Sequence, residues 1–141
     1  ATIREALAAL AFPSAVEIFC EPGRALVADA CSLLTQVLLR KGERLYLNDG
    51  IYGSLAEMFL SNLRMPVRLV RRSPRAATAN QAFRLFGPTC DSVDVLPGTF
   101  ELPGDVAEGD WLEIAQIGAY SNAMASRFNG FYPETMVELA G

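Results

Sequence analysis

Three short stretches of the chain hold side chains fit for chemistry. Glu21-Pro22-Gly23-Arg24 joins a glycine, which lets a backbone come close to a ligand, to an arginine whose planar donor fork matches phosphate. Gly87-Pro88-Thr89-Cys90-Asp91-Ser92-Val93-Asp94 sets a thiol, two hydroxyls and two carboxylates behind a rigid turn. Gly118-Ala119-Tyr120, followed by Ser126-Arg127-Phe128-Asn129-Gly130-Phe131, puts a phenol near a helix start, where backbone N–H groups help to hold an anion. Each also has an ordinary use: a Pro-Gly turn with a surface ion pair, a free cysteine packed as a small hydrophobe beside helix-capping acids, and core aromatics on a helix. Taken singly, none of the three selects chemistry over packing.

These stretches need elements to carry them. Residues 3–10 read as a helix stopped by Pro13, and Ala15-Val16-Glu17-Ile18-Phe19-Cys20 reads as a buried strand running into Glu21. Helix, strand and loop in that order form an α/β unit with its site at the carboxyl end of the strand. Past Arg24 the texture changes. Residues 32–40 and 44–48 read as a hairpin across Lys41-Gly42-Glu43, and residues 53–60 and 119–126 read as short helices. Further strands are expected at 67–70, 82–86, 111–115 and 135–139. Turns at Pro74, Gly87-Pro88, Pro97-Gly98 and Pro103-Gly104 punctuate them, as in an antiparallel β domain. The boundary falls just after Arg24.

Composition narrows the chemistry. The 141 residues fit one domain, and with 51% apolar and 20% charged residues the chain is too apolar for a disordered tail. It has no run of ~18 apolar residues, and its first residues lack a signal peptide's pattern, so a soluble, non-exported protein without membrane contact is expected. There is no histidine, which removes Ser-His and Cys-His pairs and histidine metal sites. Of 12 basic residues only Lys41 is a lysine, so amine-nucleophile chemistry has one candidate or draws on other polypeptide. A net charge of -4 argues against nucleic acid. Arg64, Arg68, Arg71, Arg72, Arg75 and Arg84 gather in one third of the chain without interleaved aromatics, and read as solvated strand edges or a subunit contact. Cys20, Cys31 and Cys90 show no C-x-x-C spacing, so no disulfide framework or zinc site is indicated and a reducing cytoplasm is the expected setting.

The motifs also occur together in a fixed order: Glu21-Pro22-Gly23-Arg24-Ala25-Leu26-Val27-Ala28, Asn48-Asp49-Gly50-Ile51-Tyr52-Gly53-Ser54, Gly87-Pro88-Thr89-Cys90-Asp91-Ser92, then Gly118-Ala119-Tyr120 with Phe128-Asn129-Gly130-Phe131. From about Ala15 onward this set resembles the C-terminal portion of the fold-type III pyridoxal-phosphate decarboxylases, the ornithine/diaminopimelate/arginine decarboxylase family. The resemblance implies a mainly β fold: residues 1–24 as the last helix and strand of a (β/α)8 barrel, and residues 25–141 as the C-terminal antiparallel β-barrel or sandwich domain. A whole barrel takes ~250 residues and does not fit in this chain.

The resemblance also implies roles. Pyridoxal 5'-phosphate is the cofactor. Glu21 pairs with its pyridinium nitrogen, Gly23 and Arg24 hold its phosphate, and Tyr120 adds a hydroxyl. Cys90, from the neighbouring subunit of a homodimer, returns a proton to the carbon that has lost carbon dioxide, and Asp91 takes the distal ammonium of a diamino acid. Phe128 matches an aromatic at the dimer interface. Diaminopimelate enzymes carry glutamate after the motif cysteine and an arginine-containing tail, whereas this chain has Asp91 and Phe128-Asn129-Gly130-Phe131. Ornithine is therefore expected, with lysine behind it, giving putrescine or cadaverine in polyamine biosynthesis. A second family aspartate that contacts substrate has only Glu57 or Ser61 as a counterpart, and neither is assigned. Lys41 does not match the cofactor lysine, so the N-terminal barrel segment is expected on polypeptide beyond this chain, which alone would be inactive. The readings that compete are a non-catalytic relative using the domain to bind protein, and a diaminopimelate decarboxylase.

Overall fold

The computed structural model describes residues 2–71, 73, 75, 76 and 78–139. Arg72 of the arginine cluster and the turn residue Pro74 lie outside them. Among the described residues six strands form one sheet: β1 (Leu33–Lys41), β2 (Arg44–Leu47), β3 (Val67–Val70), β4 (Asn80–Phe86), β5 (Phe100–Pro103) and β6 (Trp111–Ile114), in the order β3-β6-β1-β2-β4-β5. The sheet curls until its edge strands β3 and β5 approach each other, a nearly closed barrel.

The β1–β2 hairpin forms as its sequence dictates, with Gly42 in the left-handed region (φ 61) at the turn. Its partners diverge from a purely antiparallel expectation, because β2 and β4 run parallel, in register from Arg44↔Arg84 to Tyr46↔Phe86. A parallel pair needs a crossover, and α3 (Ala56–Leu60) and β3 lie in it. Strand β5 was not expected, since its four residues sit between two Pro-Gly turns and end on Pro103.

Alternation sets the interior. Along β1, Thr35 and Val37 are buried while Leu34 and Leu38 face out, and the register shifts between Val37 and Leu39. Leu45, Leu47, Phe83, Leu85, Leu102, Leu112 and Ile114 fill the barrel, capped by Leu55 and Met58 from the α3 side. Each such side chain contributes roughly 1.5–3 kcal/mol by leaving water.

The ends of the chain differ from this. Helix α1 (Thr2–Leu10) forms but buries nothing. Residues 15–20, expected as a buried strand, form no strand and are exposed, with Phe19 at 83%. A strand requires a neighbour to take its N–H and C=O groups, and no described strand lies beside it. Residues 135–139, also expected as a strand, are irregular for the same reason. No described helix is long and apolar enough to cross a membrane.

Candidate active site

Gly23 precedes the short helix α2 (Arg24–Val27) and is fixed by its N–H donating to the Glu21 carbonyl at 2.9 Å. Its φ of -72° suits any residue, and a Cβ there would meet nothing within 4 Å. The chain's own packing thus gives no reason for glycine, and the space beside it is open to another group.

Arg24 is held twice. Its Nη2 donates to Glu57 Oε1 on α3, and its guanidinium carbon lies 5.4 Å from the centre of the Tyr120 ring. Tyr120 arrives from the end of β6, where Ile117 N–H donates to the Cys31 carbonyl (3.1 Å) and Gly118 N–H to that of Ala28 (3.0 Å). A Cβ on Gly118 would overlap the Val27 carbonyl, so this crossing accepts only glycine. Tyr120 itself takes φ 64 just before α4 (Ser121–Met124) and is 57% exposed, a backbone state that costs a tyrosine about 1 kcal/mol or more and that clusters at functional sites. Glu21 is exposed, and its carboxylate has no ion-pair partner among the described residues.

A second group forms around Cys90. The Tyr52 hydroxyl donates to Asp91 Oδ2 at 2.6 Å while Asp91 Oδ1 accepts from Val93 N–H at 3.0 Å. These bonds, Tyr52 first, hold the Asp91 carboxyl below its usual range, and Asp91 in turn pushes the Tyr52 phenol up. The Phe128 ring lies 4.3 Å from that of Tyr52, and Asn129 Nδ2 reaches the exposed Cys90 Sγ at 3.7 Å. Among the described residues no hydrogen bond or ring contact joins this group to Arg24 and Tyr120.

Two buried carboxylates build the scaffold beneath. Asp94 accepts from Ile51 N–H (3.0 Å), Thr89 N–H (3.0 Å) and the Thr89 hydroxyl (2.7 Å), and a Cβ on either Gly50 or Gly87 would overlap it. It thereby ties the Asn48–Ser54 motif to the cysteine loop. Asp49 accepts from Gly50 N–H (2.7 Å) and Ser54 N–H (3.1 Å); burial raises its pKa despite those bonds.

The arginines spread out. Arg71 binds Asp105 and Asp110, Arg68 binds Glu113, Arg64 lies over Phe100 and Arg84 over Phe86, so these residues form separate ties and not one basic groove. Lys41 lies at the end of β1 with its ammonium 5.7 Å from the Tyr46 ring.

The motifs quoted from the sequence contain Arg24, Tyr120, Cys90 and Asp91. Sequence reasoning left Tyr52, Asp94 and Glu57 without roles. Tyr52 and Asp94 stand inside quoted motifs, and Glu57 carries a signal of its own, the one charge in Leu55-Ala56-Glu57-Met58-Phe59-Leu60. An acid in such a run has to find a buried partner.

A β-barrel domain that offers an open glycine and an arginine–tyrosine pair at one edge, and a thiol–carboxylate loop at another, is of the kind that completes a site made with a phosphate-bearing cofactor. Residues 25–118 match the family described as "Pyridoxal-dependent decarboxylase, C-terminal sheet domain", and the chain belongs to that family. It is 34% identical to the ornithine decarboxylase of Schizosaccharomyces pombe over 97% of this chain and 34% of the relative. It is 34% identical to antizyme inhibitor 2 of Xenopus laevis over 84% of this chain and 29% of the relative. The crystal structure of lysine/ornithine decarboxylase from Vibrio vulnificus, complexed with putrescine, superposes with a TM-score of 0.67 at 35% identity, covering 92% of this chain and 34% of that one. The chain spans about a third of the length of these relatives. The family's cofactor is pyridoxal phosphate, and its members include decarboxylases of the ornithine, lysine, arginine and diaminopimelate types. Open space at Gly23, the Arg24 fork, the Tyr120 hydroxyl and Glu21, which has no ion-pair partner among the described residues, suit such a group.

Proposed function

We propose that the chain is the C-terminal part of a pyridoxal-phosphate-dependent decarboxylase of ornithine or lysine, releasing putrescine or cadaverine for polyamine biosynthesis in the cytoplasm. When bound, the cofactor supplies an electron sink for the pair left by the departing carboxylate. Glu21 holds a proton on its ring nitrogen; Gly23, Arg24 and Tyr120 bind its phosphate. Asp91, kept ionised by Tyr52, takes the distal ammonium of the diamino acid. The thiol of Cys90 gives its proton to the carbon that has lost carbon dioxide and is recharged from solvent, to which it is exposed.

The observation that carries this reading is the meeting of Arg24 and Tyr120 beside an unobstructed Gly23. Residues 1–24 are read as the end of a barrel and residues 25–141 as the sheet domain. Exposure of Ile18, Phe19, Leu26, Met136, Val137 and Leu139 supports a large apolar partner surface, which we assign to the N-terminal barrel with its cofactor lysine and to the second subunit of a homodimer. Asp91 in place of glutamate favours ornithine or lysine over diaminopimelate. The test is to express the full-length protein and assay amine release: putrescine from ornithine is expected, with loss of cofactor absorbance in Arg24→Ala. Turnover of diaminopimelate alone would overturn the substrate assignment.

Likeness to a protein named antizyme inhibitor supports a second reading, a non-catalytic domain that binds protein. Retention of Glu21, Arg24, Cys90, Asp91 and Tyr120 together speaks against it, since protein binding makes no demand for that set. A full-length protein that bound a partner but no pyridoxal phosphate would establish it.

A further inference from the structure

Glu57 is 5% exposed in the middle of α3, and only half of its carboxylate is served. Oε1 accepts from Arg24, whereas Oε2 is buried with no partner among the described residues. A carboxylate left in that condition costs the fold more than an apolar side chain of equal volume, because the desolvation of its second oxygen is not offset. Folding therefore gives no reason for an acid at this position.

Holding Arg24 does give one. Arginine carries five N–H donors, of which the Glu57 bond engages one, at Nη2. The Tyr120 ring lies beside the guanidinium, the side chain remains 34% exposed, and the rest of its fork makes no other hydrogen bond among the described residues. A guanidinium pinned at one corner keeps its other N–H groups aimed in one direction, which lowers the ordering entropy that phosphate binding has to offset. We propose that Glu57 is a positioning residue for phosphate recognition, fixing Arg24 from behind so that its free N–H groups meet a phosphate group. This rests on the reading of Arg24 as a phosphate ligand.

The test uses the full-length protein freed of cofactor, inorganic phosphate as the probe, and the Nε–H NMR signal of Arg24, identified by its loss in Arg24→Ala. In the wild type this signal should be distinct from free arginine and should move on adding phosphate. In Glu57→Met, which replaces the acid by an apolar chain of similar volume, the melting temperature should equal or exceed that of the wild type. The Arg24 signal should collapse toward free arginine, and half-saturation should need about tenfold more phosphate. Glu57→Gln, which keeps the acceptor but loses the charge, should fall between the two, and carries the comparison if Glu57→Met does not fold. An Arg24 signal and a phosphate midpoint unchanged in the variants would overturn the positioning role and leave Arg24 as a phosphate ligand. A wild-type Arg24 signal that phosphate never moves would instead sink the reading of Arg24, and the positioning role with it.

Discussion

The Tyr52 hydroxyl bonds Asp91 across 39 residues of sequence, at 2.6 Å, and so joins the Asn48–Ser54 motif to the loop that carries Cys90. Phe128 lies against the same tyrosine ring, and Ser126 N–H donates to the Tyr52 carbonyl at 2.7 Å. Three motifs thus converge on one phenol. Its consequences for ionisation are reciprocal: Asp91 is ionised more readily than usual and Tyr52 less readily.

Replacing Tyr52 with phenylalanine removes the largest influence on Asp91. A depressed carboxyl pKa contributes stability above its unfolded value, 3.8, and loses it as pH falls through the folded value. In Tyr52→Phe the Asp91 titration, followed by carboxyl NMR, should move up toward 3.8. Under the proposed function, KM of the full-length protein for the diamino acid should rise several-fold with a smaller change in kcat, because the loss falls on ground-state and transition-state binding alike. An unmoved Asp91 midpoint would show that Val93 N–H alone controls it.

Arg71 clamps β3 to the loop between β5 and β6, binding Asp110 at 2.7 Å and Asp105 at 2.9 Å with 14% of its side chain exposed. Burial pulls Asp110 upward, but the Arg71 fork, Ala107 N–H and the nearby charges carry it below the usual range, and Asp105 is lowered through Thr78 and then Arg71. Arg71→Met should destabilise the fold by about 3 kcal/mol at neutral pH, the scale of breaking a largely buried pair. The loss should shrink as pH falls below 3.8 and both acids protonate, whichever state they are in. Urea melts at pH 7 and pH 3 measure both. Asp49, raised by burial, has the opposite sign: it favours the folded state in acid and opposes it as pH rises through its folded value.

How much of this was legible in the chain depends on whether the cause was local. The β1–β2 hairpin, β3, β4 and β6 followed from alternation and from Gly42, and α3 from its apolar run, whereas the site motifs were read from their joint order, since the residue types taken singly did not select chemistry over packing. The parallel pairing of β2 with β4 is a property of how distant strands meet, and the hairpin's residues say nothing of it. Residues 15–20 have a strand's composition, yet composition does not supply the neighbour that a ladder needs. Glu57 was visible as a lone acid in an apolar run, but its partner, 33 residues away, was not.

Asp94 is 2% exposed and accepts three hydrogen bonds, while Gly50 and Gly87 leave it room. Asp94→Asn turns an acceptor into a donor facing either Ile51 N–H or Thr89 N–H. The cost should be about 1–3 kcal/mol, read from denaturant midpoints, because one buried donor is left without a partner. Amide exchange should speed up at residues 87–94 before it does in β1 and β6, since the loop loses its tether while the sheet keeps its ladder. Equal stability in the variant would mean that the loop's other ties suffice: the Tyr52–Asp91 bond, Gly87 N–H to the Asp94 carbonyl, the Phe86–Val95 bridge and Leu96 N–H to the Leu85 carbonyl.

The last prediction concerns the division between the two groups of site residues. Within one chain, no described hydrogen bond or ring contact links Cys90 and Asp91 to Arg24 and Tyr120; under the proposed function each site takes one group from each subunit of a dimer. In the full-length protein Cys90→Ala should still bind cofactor and diamino acid but turn over slowly or protonate the wrong carbon, since the proton donor alone is lost. Asp91→Ala should instead raise KM strongly, since the distal ammonium of the diamino acid would lose its charged partner. Mixing either variant with one that lacks the barrel lysine should restore activity in the heterodimers, because one of their two sites then draws both of its halves from unaltered segments. Heterodimers that form and stay inactive would refute the shared site and leave Cys90 a surface thiol beside Asn129.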